Sequence, residues 1–522
     1  MDKDAHIRCQ LDDQIARLTA EYLALGDRLH QLKVSRNAHT LAGRLPAELW
    51  TQIFWLVQPG RHGDLKRRRL LKMTWVCQFW RDAALGCAGL WADIDTENWK
   101  WSQECVERSK SVPLTMRLHF SDRRDCAAHP SSLLYEIPRV RILHIHKEES
   151  SRVDLPYGIW NRPAPLLESF TAFGIQLPDN LFGGIAPMLQ DLHIQCSSFS
   201  WDAAIFSNLT SLTIAHPPSK ISLDVLLKGL TGIPALEVLR TDELIALPVP
   251  TTNLTPVSFT ALRSLTLMES ATSAITTLFL KLVSFADTTS IAVCAASNLW
   301  TLAEYMGLID QLEGLYTSPR VIDSLSISEF WIQPSVSMSY KPVAPSMPNQ
   351  GSISLGRPRN ITIPFLFFFL HDKLRHLRHL TINADEDIPT SMWTMASHLE
   401  SLEEIHLLRQ EPSNSFLLNL IAQHPRDLPS DTERNLLLPF PALQILEIDC
   451  DSAENTEIDF NNILDILLCR KACRRGLKEL IFSGYYGSSQ KKVAGLVRCA
   501  VDIFGRGQDS DDEYDNDDSD DE

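Results

Sequence analysis

Leu189-Gln190-Asp191-Leu192-His193-Ile194 returns twenty residues later as Leu209-Thr210-Ser211-Leu212-Thr213-Ile214. In both, one apolar residue is followed by a second three positions on and a third two beyond that. The last two alternate with polar residues, the period of a short strand with one buried face. The first anchors the turn that leads into the strand. Outward from this pair the spacing recurs. It begins at Val140-Leu143-Ile145 and a degenerate Leu167-Phe170-Ala172. It continues through Leu236-Leu239, Leu262-Leu265-Leu267, a weaker Thr288-Ile291-Val293, and Ile322-Leu325-Ile327. Leu377-Leu380-Ile382, Leu402-Ile405-Leu407, Leu443-Leu446-Ile448 and Leu477-Leu480-Phe482 complete the series.

The closest copies lie roughly 20 to 27 residues apart, the period of leucine-rich repeats. One such unit cannot bury its apolar edge alone, so neighbours must stack. The expected fold is therefore an α/β solenoid, irregular and leucine-rich-repeat-like, over residues 138–505. Leu223 to Leu230 and Ile275 to Phe285 read as helical returns between strands. Most copies lack the asparagine that fixes the turn in regular repeats. An α/β domain whose strands merely share the spacing is the competing reading. Gln333 to Asn360 holds several Pro, Ser and Gly residues, and its composition predicts a disordered insertion over residues 333–360. Phe460 to Arg475 reads as a helix with Asp459 as N-cap, Lys471, Arg474 and Arg475 in its last turn and Gly476 beyond. A last apolar helix is expected at about Val493 to Phe504.

Residues 1–41 carry a different period. Leu11, Leu18, Leu25 and Leu32 recur every seven residues, with Ile15, Tyr22 and Leu29 four after the first three. This makes one apolar stripe on an N-terminal helix, either packed on its own protein or self-associating through residues 7–33. Gly26 inside it costs roughly 1 kcal/mol relative to Ala.

At 522 residues the chain has room for two or three folding units, and 44% hydrophobic content suits a sizeable core. The net charge is −16, of which ten negative charges fall within Asp509 to Glu522, leaving −6 for the rest. Nonspecific nucleic-acid affinity needs clustered Lys and Arg, so no nucleic-acid partner is expected. The longest apolar run, Ile363 to Leu370, is too short to span a bilayer. No secretory signal is visible, and the 11 cysteines are scattered and odd in number. These features predict a cytoplasmic or nuclear protein without a membrane partner. His144-x-His146 lacks a nearby Cys or carboxylate pair, so no metal site is expected there. No Walker loop, nucleophile elbow or H-E-x-x-H motif occurs, so neither a cofactor nor catalysis is expected. Residues 506–522 read as an acidic disordered tail.

Residues 42–95 form a tryptophan-rich unit. Leu45-Pro46-Ala47-Glu48-Leu49-Trp50-Thr51-Gln52-Ile53-Phe54 opens a helix with Pro in its first turn, and Leu49, Ile53 and Leu56 share one face. Lys66 to Arg69 reads as a basic loop. A second helix follows, with Met73, Val76, Cys77 and Trp80 at helical spacing, and Leu90-Trp91-Ala92-Asp93-Ile94 closes the unit. The ordered pieces L-P-x-E-L-x-x-x-I-F, V-C-x-x-W-R and L-W-x-x-I resemble the F-box, in the form found in F-box-like proteins of mushroom-forming fungi. The resemblance covers about fifty residues, and the basic stretch between the helices is longer than in a minimal F-box.

That resemblance implies a small all-α module docked on a Skp-type adaptor and, through it, on a cullin scaffold. Carried onto this chain, Leu45, Pro46, Leu49, Ile53 and Phe54 would form the first contact strip and Val76, Cys77 and Trp80 the second. Residues 96–137 would connect the module to repeats that hold a client protein. The implied function is a non-enzymatic substrate-recognition adaptor of a Skp–cullin–F-box ubiquitin ligase. A non-ligase scaffold that self-associates through the heptad helix and repeats is the alternative.

Overall fold

The computed structural model describes residues 3–57, 63–121, 130–148, 151, 157–199, 201, 204–246, 254–268, 273–293, 301–315, 320–329, 334–342, 352–356, 361–384, 386, 388–423, 438–449, 460–472, 475–483 and 502–503. Two compact units emerge, Met1–Asn208 and Leu209–Glu522. The expected boundary near residue 138 is not where they divide.

The first unit begins with the long helix α1 (Lys3–Ala38), then α2 (Ala47–Leu56), α3 (Gly63–Val76) and α4 (Gln78–Gly86). Five parallel strands follow, each paired with its neighbour in the chain: β1 (Asp93–Asp95), β2 (Leu114–Phe120), β3 (Val140–Lys147), β4 (Ser169–Phe173) and β5 (Asp191–Gln195). Helix α5 (Trp99–Arg108) links β1 to β2. Strand pairing thus starts before residue 138. The tail of the tryptophan-rich unit supplies β1, and the expected connector, residues 96–137, contains β2. In β2, Leu114-Thr115-Met116-Arg117-Leu118-His119-Phe120 alternates buried and half-buried without a break.

Register explains the repeating leucines. Met116, Leu143, Phe170 and Leu192 are lateral partners, as are Leu118, Ile145, Ala172 and Ile194, and all eight are buried. Each ladder is a continuous apolar column in which a side chain packs between the copies before and after it. The anchor residues Val140, Leu167 and Leu189 are also fully buried. Besides α5, the described returns between these strands include the 3-10 turns Leu134–Arg139 and Leu181–Gly184.

The second unit repeats the arrangement with longer returns. Its parallel strands β6 (Ser211–Ala215), β7 (Val238–Asp242), β9 (Ser264–Met268) and β11 (Ser290–Val293) pair in that order, and a short β8 (Val257–Phe259) pairs with β10 (Val283–Phe285). A second run joins β12 (Arg320–Glu329), β15 (His379–Asn383), β16 (Glu404–Leu407), β17 (Ile445–Asp449), β18 (Glu479–Ser483) and β19 (Asp502–Ile503). Leu325, Leu380, Ile405, Leu446 and Leu480 form one buried column across this run. Leu223–Thr231 is a helix that buries Leu223, Leu226, Leu227 and Leu230, and Ser273–Leu282 is a helix ending at β10. Phe460–Ala472 is a helix as expected, and its Arg470 is buried, donating to the carbonyls of Pro439 and Phe440. The helix expected at Val493–Phe504 lies outside the described residues except for Asp502–Ile503, which form β19, and the tail lies wholly outside them.

Residues 333–360 depart from the expected insertion. β13 (Pro334–Pro342) and β14 (Ser352–Gly356) run antiparallel to each other, and β13 runs antiparallel to β12. β14 then joins β11 in parallel. The segment therefore contributes two strands to the sheet. The reason is a period-2 pattern concealed by composition: Val336, Met338 and Tyr340 are buried, with Ser335, Ser337 and Ser339 between them. Ser337 and Ser354 hydroxyls hydrogen-bond across the pair at 2.9 Å. Both prolines of β13 stand at its ends, where a missing amide donor costs least.

A recurrent turn replaces the absent asparagine. The residue following β4, β5, β6 and β7 has a left-handed backbone in each case: Gly174, Cys196, His216 and Glu243, with φ of 68°, 48°, 45° and 50°. The amide of Gly174 donates to Gln195, that of His216 to Asp242, and that of Glu243 to Met268, so the ladder gains one more bond past the strand end. Only Gly174 takes this conformation free of a Cβ, and one there would lie 2.3 Å from the Lys147 carbonyl oxygen.

The weakest expected copies are also the least regular. Thr288 is exposed and Thr289 is buried in its place, donating to Leu262 O at 2.7 Å. In the copy that lacks a third apolar residue, Thr241 sits fully buried in the column, partnered by Ile214 and Leu267, and its hydroxyl has no hydrogen-bond partner among the described residues. Removing that hydroxyl removes an uncompensated desolvation penalty. Thr241→Val is expected to raise unfolding stability by about 1 kcal/mol, as measured by urea denaturation.

Candidate functional site

The tryptophan-rich helices separate their apolar residues into an inner and an outer set. Pro46 is extended, with φ −64° and ψ 156°, and its carbonyl accepts from the amides of Leu49 and Trp50, starting α2. One face of α2 carries Trp50 and Phe54, which are 6% and 1% exposed. They close on Trp80 of α4, with ring centroids 4.1 Å and 5.4 Å away. The Trp50 indole N–H donates to Ala42 O at 3.1 Å. Trp91 and Leu90 are buried, Trp91 donates to Ala84 O, and the Arg108 guanidinium lies over its ring.

The second helix is broken where the sequence reads as continuous. Cys77 is fully extended, at φ −158° and ψ 169°, so α3 stops at Val76 and α4 starts at Gln78. Arg81 stabilises the break by donating its Nε–H to Thr74 O at 2.9 Å, a carbonyl in the last turn of α3. Within α3 Met73 is buried and Val76 is exposed. The basic stretch Lys66 to Arg69 belongs to α3 rather than to a loop.

The outer set is extensive for so small a unit. Leu49, Trp55, Leu56 and Val57 of α2 and its end, together with Trp75, Val76 and Phe79, are all exposed, from 38% for Phe79 to 80% for Leu56. Of the eight residues expected to contact an adaptor, Pro46, Leu49 and Val76 are exposed, and Leu45, Ile53, Cys77 and Trp80 are half-buried. Phe54 is a correction. It lies on the Trp50 face, four residues along the helix, and fills the core rather than a contact strip. Trp55, Leu56 and Trp75, which the motif reading passed over, present more open surface. Cys77, Trp80, Val76 and Phe79 also line a groove of about 410 Å³ with Val34 and Ala38 at the end of α1.

The strand faces opposite the apolar columns are polar. Arg117, His144, Thr171 and His193 are lateral neighbours across β2 to β5, and Arg117 pairs with Asp93 at 2.6 Å. Beside them His146 stacks on Phe173, centroids 4.4 Å apart, and lies 5.9 Å from His119. In the second unit, His379 contacts Glu404 at 2.8 Å and His406 contacts Glu447 at 2.7 Å. Among the described residues no cluster of three His, Cys, Asp or Glu side chains could hold a metal ion, and no helix is long and apolar enough to cross a membrane.

No family model and no curated protein matches this chain. Among solved structures, the crystal structure of a Bacteroides fragilis protein, a structural-genomics target, is 9% identical over 78% of this chain and 77% of its own, at a TM-score of 0.18. A likeness that slight carries no argument.

Two predictions follow from these surroundings. Phe54→Ala is expected to cost about 3–5 kcal/mol of stability, whereas Leu49→Ala should stay within about 0.5 kcal/mol, by denaturant titration. Burial, helped by the Arg117 charge, lowers the His144 pKa from its ordinary 6.5. The unfolded chain therefore binds this proton more readily, and stability present above pH 6.5 is lost as pH falls through the lowered folded value. Comparing His144→Gln with the parent chain across this range should show a shallower loss in the variant.

Proposed function

We propose that this chain is a substrate-recognition adaptor of a Skp–cullin–F-box ubiquitin ligase, its F-box-like helices gripping the Skp-type adaptor and its strand faces holding a client protein. The observation that carries this reading is the exposed apolar set around Leu49, Leu56, Trp75 and Val76. Three short helices with a Trp50–Phe54–Trp80 core leave Leu49, Trp55, Leu56, Trp75, Val76 and Phe79 open to solvent, and exposed apolar surface of that kind marks a protein interface. Spacing and order of the three motif pieces favour the Skp-type adaptor as the occupant. The finer fold proposed with it is an irregular leucine-rich-repeat-like solenoid, supported by the buried columns and the recurrent left-handed residue after the strands. A client would meet the polar strand faces, where Arg117, His144, His146 and Phe173 stand together.

The test is binding of the purified chain to a purified Skp-type adaptor, followed by co-purification of a cullin. Leu49→Asp and Val76→Asp place charge in the strip without touching the Trp50–Phe54–Trp80 core, and each should reduce adaptor affinity at least about tenfold, since a buried unpaired charge costs several kcal/mol. Absence of binding by the parent chain, or unchanged binding by both folded variants, overturns the proposal. A chain that self-associates and ignores the adaptor would instead be the scaffold.

A further inference from the structure

Among the described residues nothing covers the heptad stripe of α1. Leu11, Ile15, Leu18, Tyr22, Leu25, Leu29 and Leu32 are each more than half exposed along a 36-residue helix. The helix meets the body of its unit elsewhere on its circumference. His30 contacts the Gln78 side chain at 3.3 Å and Asn37 is half-buried, both at heptad position b, outside the a/d stripe. The stripe is therefore free to pair while those contacts stay in place.

Charges beside the stripe decide what covers it. With Ile15, Tyr22 and Leu29 at position a and Leu11, Leu18, Leu25 and Leu32 at position d, the flanking charges are Asp12 and Lys33 at e and Glu21 and Arg28 at g. A parallel pair of copies sets Arg28 against Lys33 of the other helix, twice, and stacks Arg8 on Arg8 and Arg36 on Arg36 at position a. An antiparallel pair in which Tyr22 faces Leu25 of the other copy sets Asp12 against Lys33 and Glu21 against Arg28, each twice. The same alignment matches Ile15 with Leu32 and Leu18 with Leu29. Neither Arg28 nor Lys33 has an acidic residue three or four positions away on its own helix, so no intrahelical pair explains them.

Two further features agree with this alignment. Gly26, with nothing within 4 Å of a Cβ built on it, falls beside the two central layers and leaves room for the Tyr22 rings. The bodies attach at the C-terminal end of α1, so antiparallel pairing places them at opposite ends, whereas parallel pairing crowds both at one. We propose that two copies of this chain associate through α1 as an antiparallel coiled coil centred between Tyr22 and Leu25.

Sedimentation of the full chain at low and high salt tests this, with circular dichroism confirming that each variant is folded. The parent should be a dimer and Leu25→Asp a monomer. Arg28→Glu and Lys33→Glu each turn two attractions into two repulsions and should weaken the dimer about tenfold, less at high salt. The exchange Glu21→Arg with Arg28→Glu should recover the parent's affinity. A parallel pair requires the opposite sign, because a glutamate at 28 or 33 would relieve its repulsion. A monomeric parent, a higher oligomer, or unchanged or tighter dimers in the single reversals overturn the proposal. None of these outcomes bears on adaptor binding.

Discussion

Everything downstream of the helices depends on lateral burial of apolar side chains from one strand to the next. Leu143 is covered by Met116 and Phe170, and Leu380 by Leu325 and Ile405. No single strand of five residues can close such a column, because each residue needs a neighbour on both sides. A defect in one copy is therefore felt by the copies on either side of it, and Thr241 is the instance the chain tolerates. Its hydroxyl is buried because Ile214 and Leu267 fix the column there, not because the position favours a polar group.

The same constraint accounts for what varies. Returns can be 3-10 turns in the first unit and helices such as Leu223–Thr231 in the second, since either satisfies the backbone and covers the strand ends. The turn after the strand varies less. Cys196, His216 and Glu243 accept a left-handed backbone that costs an ordinary residue roughly 1 kcal/mol, which one added ladder bond and an unbroken column can offset.

The columns were legible because spacing of three and then two fixes which residues face inward, and strand register then follows from stacking. Less was legible where composition outweighed pattern. Val336-Ser337-Met338-Ser339-Tyr340 has a strand's period, yet the prolines and serines around it read as an insertion. Asp93 to Asp95 and Leu114 to Phe120 are strands that the spacing does not mark, because they lack the leading leucine. In the helical module the helix opening at Pro46 was legible, but not the division of its faces. Leu49 and Trp50 are adjacent, and only the break at Cys77, which no residue type there announces, decides that Trp80 turns in and Val76 out. The left-handed residues had no signature either, since only Gly174 among them is a glycine.

That break ties the candidate interface to the core. A continuous helix from Leu70 to Asp82 would set Val76 and Trp80 on one face, so that burying the tryptophan would bury the valine with it. With the backbone extended at Cys77 and Arg81 holding Thr74 O, α4 approaches α2 at an angle that seats Trp80 on Trp50 and Phe54. The residues left over, Trp75, Val76 and Phe79, then stand outside because the inner volume is already filled by three large rings. The exposed strip is thus the geometric complement of the aromatic core rather than a separate feature. Anything that straightened α3 into α4 would empty the core and erase the surface together.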